Sequence, residues 1–182
     1  MESERANIVF LRVMMPSELT QIAEIDRSER ITQQYRQRGR VLELIDVDID
    51  APGWGEAGEV ALDLRVEEWT RMVNAGGVPI GAFDGDHLIG FAIYMKASDD
   101  HPAQLAVLHV TRPWRRRGIG CDLTGEVVRL ARAENAQRLY VSATPTRGTV
   151  DFYLNQGFVP VEMPDERLFA LEPDDIHMER TL

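Results

Sequence analysis

The run Arg115, Arg116, Arg117, Gly118, Ile119 and Gly120 stands where an apolar stretch ends and a long amphipathic one begins. At such a junction the first amides of a helix have no partner within it and carry the positive end of its dipole, so a polyphosphate can be held largely by main chain. Gly118 and Gly120 admit close approach and turn geometries that other residues disfavour, while the arginines offset an anion's charge. Solvation of a turn is the plainer use of three arginines, and the placed glycines are what favour the anion.

Other reactive side chains are sparser. His87, His101, His109 and His177 are scattered and unpaired, with no spacing that suggests a metal site. The lone Cys121 excludes an internal disulfide and a multi-cysteine metal site; at a helix start it either has a lowered thiol pKa or packs as a small apolar residue. Asp46, Asp48 and Asp50 alternate with Ile45, Val47 and Ile49, as on a half-buried strand with one anionic face. That face either attracts a cationic amine or guards an edge strand against aggregation. With 20 Lys+Arg against 30 Asp+Glu and a formal net charge of -10, the knot of Arg112, Arg115, Arg116 and Arg117 fits one bound anion. Nucleic acid, which would need a broad positive face, is not an expected partner.

The elements that must position these groups follow from periodicity. At 182 residues with 44% hydrophobic content, the chain is read as one domain over 1–182. No stretch approaches the roughly 20 apolar residues of a membrane span, and the opening MESERANIVF lacks a secretory apolar region, so a cytoplasmic protein without membrane contact is expected. Ile8 to Val13 reads as a strand and Pro16 to Ile25 as a helix. Between Glu24 and Arg40 the polar sequence leaves open whether the helix ends near Arg27 or resumes through Tyr35. A strand at Ile45 to Asp50, a loop over Ala51 to Gly58 and a helix over Leu62 to Val73 come next. Val78 to Phe83 and Leu88 to Lys96 flank an Asp-Gly turn and make a hairpin. Leu105 to Val110 is a strand, Ile119 to Asn135 a helix with Leu123, Val127, Val128, Leu130 and Ala131 inward, and Leu139 to Ala143 a strand. A short helix over Thr149 to Asn155, an extended Phe158 to Val161 and a terminal strand from Ile176 to Leu182 complete a mixed α/β layout.

From Val78 to Phe158 the sequence resembles the GNAT superfamily of acyl-CoA N-acyltransferases. Arg115-x-x-Gly118-x-Gly120 matches that family's Gln/Arg-x-x-Gly-x-Gly/Ala loop, and Phe152-Tyr153-Leu154-Asn155-Gln156-Gly157-Phe158 resembles its Phe-Tyr-x-x-x-Gly-Phe segment. The resemblance implies a mostly antiparallel α/β sheet with one splayed parallel strand pair and flanking helices. It also implies N-acetyl transfer from acetyl-CoA, without a metal, to a primary amine of a small molecule or peptide. The co-substrate would lie between the strands ending near Val110 and beginning near Leu139, its pyrophosphate on the amides of Arg115, Arg116, Arg117, Gly118, Ile119, Gly120 and Cys121. Main chain around His109 and Val110 would hold the pantetheine arm, and Tyr153 would be the general acid near the sulfur.

The base is open among His109, Glu24, Asp26, Glu29 and water, with His109 and Glu24 carried forward as candidates. A non-catalytic acyl-CoA binding or sensing module is the alternative reading, and a homodimer is left open. Two departures from the family pattern stand out: Thr146 where many relatives carry Asn, and the long acidic link from Met163 to Asp175. That link is read as a lid, a dimer contact or a solvated loop.

Overall fold

The computed structural model describes residues 9–54, 61–99 and 101–182. Ile8 and the part of the expected 51–58 loop beyond position 54 lie outside them. A seven-stranded sheet runs in the order β1-β4-β5-β6-β7-β9-β8. Its strands are β1 (Val9–Val13), β4 (Val78–Asp84), β5 (His87–Met95), β6 (Gln104–Val110), β7 (Arg138–Ala143), β8 (Val159–Pro160) and β9 (Ile176–Thr181). All neighbours are antiparallel except β6 and β7.

The sheet is covered on both faces, which is why β5 reads as an unbroken apolar run. Ile89, Ala92 and Tyr94 pack with α2 (Ile119–Ala133) and α3 (Arg147–Asn155) on one side. Leu88, Phe91 and Ile93 meet Leu19 and Ile22 of the 3₁₀ helix Pro16–Glu24, and Trp69 of α1 (Leu62–Asn74), on the other. The 3₁₀ helix opens on Pro16, and the Glu18 carboxylate accepts from the Met15 amide at 2.7 Å. In the β4–β5 turn Gly85 takes φ 59°, a conformation open to glycine at little cost.

Glu29–Arg38, in the region left open by sequence, is strand β2, paired with β3 (Val41–Ala51) in a separate two-stranded sheet. The hairpin is tied to the main body by its own polar residues. The Tyr35 amide donates to Pro145 O at 2.7 Å, its hydroxyl to Asp151 Oδ1 at 2.8 Å, and Gln37 Nε2 to Val161 O at 2.6 Å. Across the hairpin Arg30 binds Asp48 and Asp50, and Gln33 Nε2 donates to Asp46 Oδ1 at 3.0 Å. The anionic face is thus partnered within the hairpin.

The link from Met163 to Asp175 contains a short helix, α4 (Glu166–Leu171), capped by the Asp165 carboxylate and anchored by Leu168 against Tyr140 and Val161. No helix among the described residues is long and apolar enough to cross a membrane, and no group of three His, Cys, Asp or Glu side chains there is placed to hold a metal ion.

Candidate active site

The sheet is deliberately incomplete at its centre. The parallel strands β6 and β7 share a single register pair, Gln104 with Tyr140, supported by the Tyr140 amide donating to Ala103 O at 2.8 Å. Beyond it they part. A bulge contributes on the β5 side: Ile93 faces Val107 while Tyr94 faces Leu105, leaving Ala106 as the extra residue that bends β6. The Thr111 amide donates to Ile89 O at 2.9 Å, so by strand alternation the main chain of His109 engages β5 and that of Leu108 and Val110 turns toward the gap. Of the two residues expected to offer main chain to an extended amide-rich arm, Val110 has the right orientation and His109 does not.

At the far end of β6 the chain makes the turn over residues 115–120, expected from sequence to hold an anion. Arg116 has φ 61° and Gly118 φ 89°, with Arg117 between them outside the left-handed region. This alternation aims successive amides into one concavity. Among the described residues no acceptor takes the amides of Arg116, Arg117, Gly118, Ile119, Gly120 or Cys121, and α2 begins immediately behind them. The row starts one residue later than expected, because the Arg115 amide donates to Arg112 O at 3.3 Å. The Arg115 guanidinium also turns away, donating to Val110 O at 3.1 Å, Ser28 O at 3.3 Å and Asp26 O at 3.4 Å.

The two glycines do different work. A Cβ on Gly118 would meet nothing within 4 Å, so its requirement is the backbone angle; one on Gly120 would come within 3.3 Å of the Phe152 ring, so its requirement is the contact of α2 with α3. Cys121 is exposed, its sulfur accepting from Gln156 Nε2 at 3.3 Å. Arg117 lies over the Trp114 ring at 5.1 Å, and Arg116 borders a cleft of about 430 Å³ between β2 and the start of α3, with Glu29, Thr146, Arg147 and Asp151. Thr146 caps α3, its hydroxyl accepting from the Thr149 amide.

Tyr153 is 6% exposed, with Phe152 and Phe158 edge-on at 5.2 and 5.4 Å. Its hydroxyl has no hydrogen bond among the described residues, yet it is not one of the polar atoms sealed from solvent without a partner, which are Gln21 Oε1 and Thr124 Oγ1. Burial first, then the charges of Asp175 and Glu172, hold the phenol above its ordinary pKa, so it stays protonated.

The two candidate bases are otherwise engaged. Glu24 accepts from the Leu88 amide at 2.8 Å and sits 3.7 Å from His87 Nδ1, tying the 3₁₀ helix to β5. His109 is enclosed by Trp54 at 5.2 Å, Phe91 at 5.5 Å and Trp69 at 5.8 Å. Burial, reinforced by Arg27, Arg115 and Arg65, lowers its pKa from 6.5 to about 3, leaving a neutral, weakly basic ring. The folded state therefore binds fewer protons here than the unfolded chain. The associated stability is complete above pH 6.5 and is lost as pH falls toward 3. His109→Phe should lose less melting temperature than the parent between pH 7 and pH 4; equal losses would mean the neutral ring is not the cause.

One titratable group was not singled out by sequence. Asp175 has its pKa raised from 3.8 to about 7 by burial and by Glu172 and Asp174, and it is close enough to Tyr153 to act on it. Nothing in the local sequence distinguishes it from the other carboxylates of its segment; only the pairing of β9 with β7 brings it to the gap.

A mixed sheet whose one parallel pair parts above a turn of unpartnered amides is a frame that can seat an extended, phosphate-bearing ligand. The chain belongs to the acetyltransferase (GNAT) family, whose family model matches residues 41–158. Nourseothricin acetyltransferase superposes with a TM-score of 0.71 at 16% identity, covering 95% of this chain and 98% of that one. A Bacillus anthracis str. Ames protein provisionally named streptothricin acetyltransferase, solved with acetyl coenzyme A, gives 0.72 at 18% identity, covering 96% and 99%. The PaiA N-acetyltransferase of Thermoplasma acidophilum, solved with coenzyme A, gives 0.61 at 16%, covering 96% and 99%. No curated protein matches the chain in sequence.

Proposed function

We propose that this acetyltransferase, acting as one domain, moves the acetyl group of acetyl-CoA to a primary amine of a cationic small molecule or peptide by direct attack. The observation that carries the reading is the gap between β6 and β7, which opens onto the unpartnered amides of Arg116 to Cys121. An amide-rich arm can add to the edge of β6 at Leu108 and at the Val110 amide, the Val110 carbonyl being taken by Arg115, and the diphosphate suits the concave turn. Anchoring both ends of a thioester fixes its carbonyl for attack. Donation from an edge amide to that carbonyl would stabilise the oxygen on which negative charge develops. Tyr153, kept protonated, is suited to protonate the departing thiolate.

The net charge of -10 supports a cationic acceptor, and so does the acidic turn Glu172, Asp174, Asp175 at the gap. The relatives named for nourseothricin and streptothricin make those antibiotics sensible first acceptors to try. Calorimetry should detect acetyl-CoA binding, and thiol release across a library of primary amines including streptothricin should identify the acceptor. Absence of acetyl-CoA binding, or its binding away from residues 116–121, would remove this reading. Binding with no thiol release for any amine would point instead to a sensing module.

A further inference from the structure

β9 runs antiparallel to β7 with Ile176 opposite Ala143, so the residue before it, Asp175, comes to the end of β7 at which β6 has already parted. Its backbone is pinned there. The Asp175 amide donates to Glu172 O at 3.2 Å, the same carbonyl lies 2.9 Å from His177 Nε2, and the Glu172 amide closes onto Leu168 O of α4 at 3.1 Å. Ile176 and His177 beyond it are buried.

The Asp175 carboxylate has no ion pair or hydrogen bond among the described residues. The charged and titratable groups acting on it are Glu172 and Asp174 from its own turn, and its own charge reaches Tyr153 of α3; the His177 ring, two residues along, is engaged by Glu172 O and lies 3.4 Å from Ser142 Oγ. Tyr153, more than nine-tenths buried, likewise has a hydroxyl without a protein partner. A half-buried carboxylate with only like charges for company is a destabilising arrangement. Its position at the open end of the strand gap, within electrostatic reach of an equally unpartnered buried phenol, points to a ligand's polar group as the missing partner.

We propose, resting on the acetyl-transfer reading, that Asp175 is the general base that takes the proton from the acceptor's ammonium. The free amine then attacks the thioester carbonyl, forming the C–N bond. As the C–S bond breaks, the Tyr153 hydroxyl gives its proton to sulfur and is reprotonated, through water, by the second proton leaving nitrogen. One acceptor amine and one acetyl-CoA yield one amide and one CoA thiol. The net proton leaves through Asp175 to solvent. Deprotonation of Asp175 through about pH 7 then makes activity rise across that pH, which is where a base for a protonated amine is effective.

The experiment compares the parent with Asp175→Asn and Asp175→Glu, using the library amine that releases thiol fastest. In the parent, kcat/KM should rise across about pH 7. Asp175→Asn should lower it about 100-fold at pH 8 and abolish that limb, and Asp175→Glu should restore part of the rate. A purely structural carboxylate would not give the opposite change in stability expected together with this loss. Folding a raised-pKa carboxylate costs stability once it ionises, so Asp175→Asn should melt higher than the parent at pH 8. Carbon-13 NMR of the Asp175 carboxyl in the acetyl-CoA complex should show a midpoint near 7. A midpoint in the ordinary carboxylate range, or an unchanged pH profile in Asp175→Asn with acetyl-CoA binding retained, would overturn the base assignment alone. Failure of the parent to bind acetyl-CoA would overturn the reading beneath it, and the base with it.

Discussion

Replacing Tyr153 with phenylalanine is expected to lower kcat about 100-fold while leaving the Kd for acetyl-CoA unchanged. The ring is held by Phe152 and Phe158, and phenylalanine keeps the apolar contacts that such a site supplies. The hydroxyl has no protein partner, so deleting it orphans no buried group, and the usual penalty for breaking a hydrogen bond does not arise. Stability should hold or rise slightly. What disappears is the proton for the departing sulfur, an interaction made only as the C–S bond breaks, so kcat and kcat/KM should fall together. Stopped-assay thiol release with matched melting curves checks this; unchanged turnover in a folded variant would remove Tyr153 from the chemistry.

Gly118→Val should instead abolish measurable acetyl-CoA binding or weaken it by about 100-fold, equivalent to about 2.7 kcal/mol. Gly118 has φ 89°, where the left-handed region costs an L-residue about 1–2 kcal/mol and a β-branched one more. The open space around its missing side chain means that no neighbour is crowded, so the protein can escape strain only by rotating the turn. That rotation disperses the amides of Arg116 to Ile119. Gly125→Ala is the control, since Gly125 lies inside the same helix with free space around it; it should stabilise α2 by about 0.5–1 kcal/mol and leave calorimetric affinity alone. Equal affinities in Gly118→Val and the parent would show that the anion does not depend on this turn.

Local pattern disclosed much of the fold and the glycine-bearing turn of the candidate site. The central strands β4 and β5 are buried from both sides and therefore carry dense apolar runs, and α2 shows its inward stripe because one face alone meets the sheet. The turn at Gly118 was legible because glycine marks backbone angles that few other residues tolerate. β2 was obscure because it belongs to a two-stranded hairpin with little buried surface: Ile31 alone is fully buried, and Tyr35 and Gln37 dock by polar atoms that carry no periodic apolar signal. α4 offers too few residues for a periodic apolar stripe, although Asp165, following Pro164, is a reasonable cap. The burial of Asp175 was not legible in its local sequence, since it depends on strand order, whereas Glu172 and Asp174, which add to its raised pKa, are its neighbours along the chain. The engagement of Glu24 with Leu88, and of the Arg115 side chain with residues 26 and 28, is similarly a product of tertiary placement.

The bulge at Ala106 and the lone register pair between β6 and β7 leave main-chain groups along the parted edges of the two strands without a partner strand. A recess made in this way is indifferent to most substitutions along its length, because each peptide offers the same donor and acceptor whatever residue bears it. Side chains around it can therefore change while the main-chain donors and acceptors along the parted edges stay the same.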